Sequence, residues 1–219
     1  MTDQSPELLP PEAGLALAWT PPKVRAALTT AFALDRRLAG IAARTTEPML
    51  GQMRLAWWRD ALGTPVPDRP RGDFVLDAIG KHWAGREAGL IALVDGWEVL
   101  VTATLLGPAE INAFGTQRGA FFARLDDRRE AASNPRVAAA AFRWALADAA
   151  AAMSDADERA RLITAGLAPN DAAGRLPQSL RGLAVLEGLA LRALRRGGRP
   201  LMEGRGASLA ALQAAIFLR

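Results

Sequence analysis

Few side chains in this sequence are suited to catalysis or metal binding. There is no cysteine, which excludes disulfides, thiolate metal sites and cysteine nucleophiles. His82 is the one histidine, and nothing supplies the partners that a zinc site or a catalytic triad would need. Asp126 and Asp127 are adjacent, so on a helix they face different directions and do not predict a metal pair. The remaining candidates are aspartates and arginines on predicted helices.

Several of these candidates lie in a predicted helical hairpin that spans Thr20–Leu62. Its first helix, Pro22–Ala43, carries Asp35 and Arg36. Its second helix, Glu47–Leu62, carries the polar and aromatic residues Arg54, Trp57, Trp58 and Arg59. Guanidinium groups bind phosphate through paired hydrogen bonds, so Arg36, Arg54 and Arg59 are candidates for a diphosphate clamp.

The hydrophobic periodicity of the hairpin predicts which faces are buried. The first helix repeats apolar residues at helical spacing at Val24, Leu28, Ala31, Leu34/Asp35, Leu38 and Ala42. The second has a stripe of Leu50, Met53, Trp57 and Ala61, which we expect to be buried, with Arg54 and Trp58 off it. Thr20 and Thr46 precede the two helices and are expected to cap them. The simplest interpretation is two packed helices of a bundle.

The hairpin also resembles the squalene/phytoene synthase family of head-to-head prenyl transferases. The first signature of that family resembles Tyr-Ala-Phe-x-Arg-x-x-Asp-Asp-x-x-Asp, with a Trp-Trp-Arg-like element one helix later. Phe32–Arg36 lies over the start of the signature, with Arg36 at its arginine position, and Trp57–Arg59 matches the later element. The resemblance implies a shortened trans-isoprenyl diphosphate synthase (terpenoid synthase) fold. Within the family, the sequence looks closer to the branch that includes a mitochondrial complex I assembly factor than to the carotenoid enzymes.

The sequence departs from the family at the residues that bind metal. On this overlay the three carboxylate positions of the first signature are Ala39, Gly40 and Ala43. Paired aspartates one helical turn apart hold Mg²⁺, which neutralises the leaving diphosphate, and alanine and glycine cannot replace them. In the region of the second Asp-rich motif Asp148 is present, but Ala152, four residues later, is not acidic. The resemblance therefore implies the fold rather than the reaction. We expect no cofactor, and Mg²⁺ only if the protein is an active transferase.

The composition and the remaining periodicity predict an all-α protein. Half of the residues are apolar, and no alternating stretch predicts a strand. Beyond the hairpin, the predicted helices are Phe74–Trp83, Glu87–Leu106, Ala109–Ala132, Asn134–Met153, Asp155–Ala168, Leu180–Arg196 and Ala207–Leu218. We expect residues 1–19 to form a loose arm ending in a short helical turn, and 20–219 to form a single domain. Without a predicted signal peptide or membrane span, we expect a cytoplasmic protein, at most peripheral to the inner membrane.

Basic residues are concentrated near the C-terminus. From Ala172 to Arg219 there are 8 basic and 2 acidic side chains, against 19 and 21 before this segment. The excess lies chiefly at Arg192, Arg195, Arg196, Arg199 and Arg205. Three interpretations remain open: cations that favour a helix C-terminus, a surface for anionic lipid or a diphosphate head group, and a nucleic-acid surface. We expect no nucleic acid, because exposed aromatics are not interleaved with these arginines.

Three functions follow from these observations. The first is a non-catalytic synthase-like protein, a pseudoenzyme that binds an isoprenoid or lipid-like ligand or acts in protein assembly. The second is an active transferase of isoprenoid, carotenoid or hopanoid biosynthesis that condenses two prenyl diphosphates, with Asp35, Asp60 and Asp148 as its acidic candidates. The third is a plain helical protein-interaction scaffold. The first two predict an apolar cavity with arginine at its mouth, and the third predicts a filled core with an exposed apolar patch.

Overall fold

The computed structural model describes residues 9–45, 47–125, 134–168, 172 and 174–218, and in this part of the chain the protein is all-helical, as predicted. The α-helices are α1 (Pro11–Trp19), α2 (Pro22–Arg44), α3 (Pro48–Gly63), α4 (Phe74–His82), α5 (Ala88–Thr102), α6 (Pro108–Gly119), α7 (Pro135–Ala152), α8 (Ala156–Leu167), α9 (Arg181–Arg195) and α10 (Ala207–Phe217). Short 3₁₀ helices occupy Val66–Asp68, Ala120–Arg124 and Gln178–Leu180. Among these residues no helix combines the length and hydrophobicity that crossing a bilayer requires.

Several helices start where a short polar side chain caps them. The Asp73 carboxylate accepts hydrogen bonds from the backbone N–H groups of Val75 and Leu76 at the start of α4. At the start of α7 the Asn134 side-chain oxygen accepts a hydrogen bond from the Arg136 N–H, and at the start of α8 the Asp155 carboxylate accepts one from the Glu158 N–H. Such caps satisfy backbone donors that have no partner within the helix. The sequence predicted these three starts, and they are confirmed.

The helices pack in a succession across the molecule. α3 packs on α5, α5 on α6, α6 on α7, α7 on α9, and α9 on α10. α2 contacts α1, α3, α4 and α5. α3 and α10 therefore lie at opposite ends of the packing sequence, and α2, α7 and α9 contribute the most buried apolar side chains to the core.

The N-terminal part of the described chain is helical and packed. In the segment expected to be a loose arm, α1 covers Pro11–Trp19 and buries Ala13 and Ala16, mainly against α9. Thr20 does not cap α2, contrary to the prediction, because its Oγ1 donates a 2.7 Å hydrogen bond to the Ala16 carbonyl at the end of α1. Helix C-termini leave carbonyls without partners, and Thr20 satisfies one of them. Thr46, the other expected cap, lies outside the described residues.

The buried face of α3 is largely the reverse of the predicted one. Leu50, Met53 and Trp57 are 47, 65 and 44 % exposed, while Leu55 and Trp58 are buried. Of the predicted stripe only Ala61 is buried, so that prediction was wrong.

Contacts with α5 explain this orientation of α3. A Cβ on Gly51 would come within 2.8 Å of the Val101 side chain, so only glycine allows this approach without a shift. On the same side, Arg59 binds Asp95 and Glu98 of α5. Both sets of contacts turn Leu55 and Trp58 inward.

Three further predictions on the packing need correction. The helical spacing of the predicted helices Phe74–Trp83 and Glu87–Leu106 places Phe74 and Leu105 on the inward faces, but both side chains are exposed. The α-helix expected over Ala109–Ala132 ends at Gly119 and continues as a 3₁₀ turn. Asp126 and Asp127 lie outside the described residues.

Candidate functional site

A buried ion cluster joins four helices at the centre of the fold. Arg118 of α6 donates two hydrogen bonds to Asp35 of α2, from Nε (3.0 Å) and Nη2 (2.8 Å). The same Nη2 donates to Asp148 of α7 at 2.6 Å, and Nη1 donates to the Ala145 carbonyl at 3.2 Å. The Trp97 indole of α5 donates to Asp35 at 2.7 Å. Each carboxylate of the cluster is therefore held by a fixed cationic partner.

The Arg118 guanidinium is buried and lies against aromatic rings. The Arg118 side chain is only 2 % exposed, and its guanidinium carbon lies 4.7 Å from the Trp97 ring centre and 4.6 Å from that of Trp144. Burial by itself lowers the pKa of Arg118, but the attraction of Asp35 and Asp148 outweighs it and raises that pKa above its ordinary value. Arg118 is thus a permanent cation in the interior, stabilised by two carboxylates and by cation–π contacts.

Glycines bring the helices close enough for these contacts. A Cβ on Gly96 of α5 would lie 2.8 Å from the Arg118 backbone nitrogen, and a Cβ on Gly119 would lie 2.7 Å from the Ala141 side chain of α7. Only glycine permits such close backbone approach without a shift of one helix. α6 is consequently fixed between α5 and α7, with Arg118 aimed at α2.

Beside the cluster a narrow crevice opens towards solvent. It is lined by Pro10, Glu12, Ala13, Phe32, Asp35, Arg36, Ala39, Arg118, Trp144, Asp148 and Leu186. Its volume is about 30 Å³, enough for one or two water molecules. Ligand pockets are typically roughly 300–1,000 Å³, so the crevice is at least several-fold too small for an organic ligand.

Glu12 is the third carboxylate that lines the crevice. Partial burial raises the pKa of Glu12 above its ordinary value, and the negative charge of Asp148 adds to this. A backbone hydrogen bond and the charge of Arg36 act in the opposite direction.

The donor set does not suit Mg²⁺. Both oxygens of Asp35 accept hydrogen bonds from Arg118 or Trp97, and Asp148 is bound by the same guanidinium. Mg²⁺ requires several oxygen ligands in near-octahedral geometry, and a guanidinium already lies where the two carboxylates converge. Among the described residues no group of three histidine, aspartate or glutamate side chains is arranged to hold a metal ion.

The arginines of the predicted diphosphate clamp do not meet at this crevice. Arg36 is exposed and lines it, next to Asp35. Arg54 is exposed on α3 and does not line it. Arg59 also lies elsewhere, because Asp95 and Glu98 bind it, and its hydrogen bond to Glu98 raises the pKa of Arg59.

The other predicted site residues lie in different environments. Trp57 is exposed and Trp58 is buried, with their rings edge to face. Of the positions where the family has carboxylates, Ala39 lines the crevice, Gly40 lies against the Arg44 side chain, and Ala43 is exposed. Asp60 is also exposed.

The basic C-terminal residues surround a separate surface groove between α9 and α10. Arg192, Arg195 and Arg196 line this groove, which has a volume of about 600 Å³. Arg199 and Arg205 are exposed in the segment between the two helices.

A second buried ion cluster ties α7 to α9. Glu187 is fully buried and accepts hydrogen bonds from Arg136 at 2.9 and 2.5 Å and from Arg143 at 2.8 Å. Arg136 and Arg143 are two helical turns apart and hold the carboxylate from one face of α7. Glu187 falls on the apolar stripe of α9 with Leu183, Ala190 and Leu194, which predicts that it points inward, but the sequence pattern gives no partner for it.

Sequence reasoning missed Arg118 as a central residue. A signal was present: Arg118 falls one helical turn after Phe114 and one turn before Phe121 and Phe122, on a stripe that is otherwise buried. Asp35, which falls on the predicted buried stripe of α2, also required a buried cationic partner.

No family model, curated protein or solved structure matches the chain.

Proposed function

We propose that this protein is a non-catalytic relative of the squalene/phytoene synthases that acts in protein assembly, through its outer surface rather than through an interior ligand site. The observation that carries the proposal is the position of Arg118. Its guanidinium binds both Asp35 of α2 and Asp148 of α7. The proposed relationship itself depends on the motifs Phe32–Arg36 and Trp57–Arg59 and on the all-helical architecture.

The size of the crevice argues against prenyl transfer beside Arg118 and against an isoprenoid held there. A crevice of about 30 Å³ would have to enlarge by at least roughly ten-fold to reach the usual pocket size. Phe32, Phe121, Phe122 and Trp144 pack against one another beside Arg118, with ring centres 4.2 to 6.3 Å apart. Opening the crevice would break these contacts together with the ion pairs.

The exposed face of α3 supports a role in assembly. Met49, Met53 and Trp57 follow one another at intervals of four residues and form an apolar stripe, with exposures between 44 and 74 %. Methionine adapts to varied apolar partners, and tryptophan is prominent among interface residues that contribute most binding energy. Arg54 and Asp60, the exposed charges on this helix, have opposite signs. Such a surface suits an apolar patch on another protein.

Site-specific photo-crosslinking in cells tests this function. Replacing Met53 with a photoreactive benzoylphenylalanine should give a discrete crosslinked product with another protein, because the side chain lies in the middle of the stripe. The matched control places the same residue at Arg161, an exposed position on α8. Adding Trp57→Ser to the Met53 variant should remove the product. The same products from both positions, or none from position 53, would contradict the proposed function.

A further inference from the structure

The groove between α9 and α10 has a basic rim and an apolar wall. Arg192, Arg195 and Arg196 lie on its α9 side. Its α10 side consists of Ala210, Gln213, Ala214 and Phe217. α10 itself, Ala207–Phe217, contains no charged residue. The groove thus places guanidinium groups directly beside an uncharged helix.

Acidic residues are scarce in the sequence around this rim. From residue 188 to 219 the sequence contains six arginines and one acidic residue, Glu203. The nearest acid on α9, Glu187, is fully buried and bound by Arg136 and Arg143 of α7. Arg195 and Arg196 are exposed, and Arg192 donates a hydrogen bond to the Glu203 backbone carbonyl. The positive charge at this end of the molecule therefore faces solvent.

α10 also exposes a hydrophobic stripe next to the arginines. The large apolar residues on its outer surface are 43–59 % exposed: Leu209, Leu212, Ile216 and Phe217. The spacing of Leu209, Leu212 and Ile216 places them on one face of the helix. On its opposite face α10 packs against α9, where a Cβ on Gly188 would lie 2.6 Å from Ala214.

We propose that the α9–α10 face docks onto a membrane surface whose lipids carry anionic phosphate head groups. An uncharged helix with an exposed apolar stripe can insert that stripe at the boundary between head groups and acyl chains, and adjacent arginines can bind the phosphates. Nucleic acid is a poorer match, because three of the four exposed apolar side chains are aliphatic and cannot stack on bases as aromatic rings do. This proposal rests on the α9–α10 face alone and does not depend on the proposed role in assembly.

Vesicle co-sedimentation with the full chain tests the proposal. The full chain should bind vesicles of phosphatidylcholine that contain about 30 % phosphatidylglycerol, and bind pure phosphatidylcholine vesicles at least about ten-fold more weakly. Raising the salt concentration from about 0.1 to about 0.5 M should weaken binding to the anionic vesicles. The double variant Arg195→Gln/Arg196→Gln should weaken binding to the anionic vesicles by at least about ten-fold. The double variant Leu212→Ser/Ile216→Ser, made in the parent protein, should weaken it as well.

Matched variants outside the α9–α10 face serve as controls. Arg54→Gln/Arg161→Gln removes the same charge from exposed positions elsewhere, and Met49→Ser/Met53→Ser removes comparable exposed apolar surface from α3. Both should bind the anionic vesicles like the parent protein, and circular dichroism should show all four variants folded. Equal binding to neutral vesicles, no binding to anionic vesicles, or an equal loss in the charge control would overturn the proposal. Binding to duplex DNA that depends on Arg195 and Arg196, without vesicle binding, would overturn it in favour of nucleic acid.

Discussion

Arg118 and Asp35 form a bidentate ion pair in the protein interior, although 83 residues separate them in the sequence. The Nε and Nη2 groups of Arg118 donate to the two oxygens of Asp35, the paired geometry that guanidinium and carboxylate adopt when they bind most strongly. Asp148 shares the same guanidinium. One arginine of α6 thereby fixes the relative positions of α2 and α7.

Removing the Arg118 charge should be strongly destabilising. Arg118→Met leaves Asp35 buried without its cation, and breaking a buried ion pair in this way costs about 3–5 kcal/mol. Urea unfolding followed by circular dichroism measures the loss of unfolding free energy. Arg54→Met, at an exposed position, should change it by no more than about 0.5 kcal/mol. The double variant Arg118→Met/Asp35→Asn should lose less than the sum of the single variants. Strict additivity would show that the two residues are not coupled.

The adjacent tryptophans of α3 should differ sharply in their contribution to stability. Trp58→Ala removes a buried ring and should destabilise the protein by about 3–5 kcal/mol. Trp57→Ala should cost less than about 1 kcal/mol, because nearly half of that side chain is exposed. Acrylamide quenching adds an independent readout, since Trp57→Phe should remove more of the quenchable fluorescence than Trp58→Phe. If Trp57→Ala destabilised the protein more than Trp58→Ala, the buried face of α3 would be the stripe of Leu50, Met53 and Trp57 that the periodicity predicts.

A methyl group at Gly96 should disturb the crossing of α5 and α6. Its Cβ would lie 2.8 Å from the Arg118 backbone nitrogen, and backbone cannot move aside as a flexible side chain can. Gly96→Ala should therefore lower the unfolding free energy by about 1–3 kcal/mol. Gly14→Ala is the matched control, because it lies within α1 with no atom within 4 Å of its Cβ position. That variant should be neutral or gain up to about 1 kcal/mol from higher helix propensity. Equal effects of both substitutions would mean that α5 and α6 are not in close contact at Gly96.

Glu12 should make stability fall as the pH rises. Burial raises the pKa of Glu12 in the folded protein above its ordinary value of 4.5, which applies to the unfolded chain. At a pH between 4.5 and the folded-state pKa, the folded protein therefore binds more protons than the unfolded chain. This contribution to stability is complete below the ordinary value and is lost as the pH rises through the folded-state pKa. Glu12→Gln should consequently raise the melting temperature at pH 7, and the gain should shrink as the pH falls towards 4.5. Glu47→Gln, on an exposed side chain, should not reproduce the gain. A lower melting temperature for Glu12→Gln at pH 7 would contradict the assigned direction.

Helix positions were largely predictable from the sequence because their signals are local. Asp73, Asn134 and Asp155 cap helices within the next three residues, and the amphipathic stripe of α9 reports its buried face directly. The orientation of α3 was not predictable in the same way. Leu50, Met53 and Trp57 form one apolar stripe and Leu55, Trp58 and Leu62 form another. Only the contacts with α5 select between them.

The candidate site was harder to predict, because its partners are distant in sequence. Asp35 was recognised as facing inward and Asp148 as an acidic candidate, but Arg118 lies 83 and 30 residues from them. The place of Arg118 on the stripe of Phe114, Phe121 and Phe122 was a local signal, but a helical arginine is usually solvent-exposed, and local periodicity does not show which carboxylates an arginine pairs with. Conversely, the sequence predicts phosphate binding for Arg59, whereas in the fold Asp95 and Glu98 of α5 bind its guanidinium.

Calorimetric titration with farnesyl and geranylgeranyl diphosphate, each with and without Mg²⁺, tests most directly whether the crevice beside Arg118 is closed to prenyl ligands. The account predicts no binding in the crevice, because Arg118 already binds Asp35 and Asp148 and the remaining space is about 30 Å³. The diphosphate groups can also contact the arginines of the α9–α10 face and release a small heat of binding there. That heat should disappear in Arg195→Gln/Arg196→Gln and persist in Arg36→Gln. Binding that strengthens with Mg²⁺ and is lost in Arg36→Gln would contradict the account and restore the transferase interpretation.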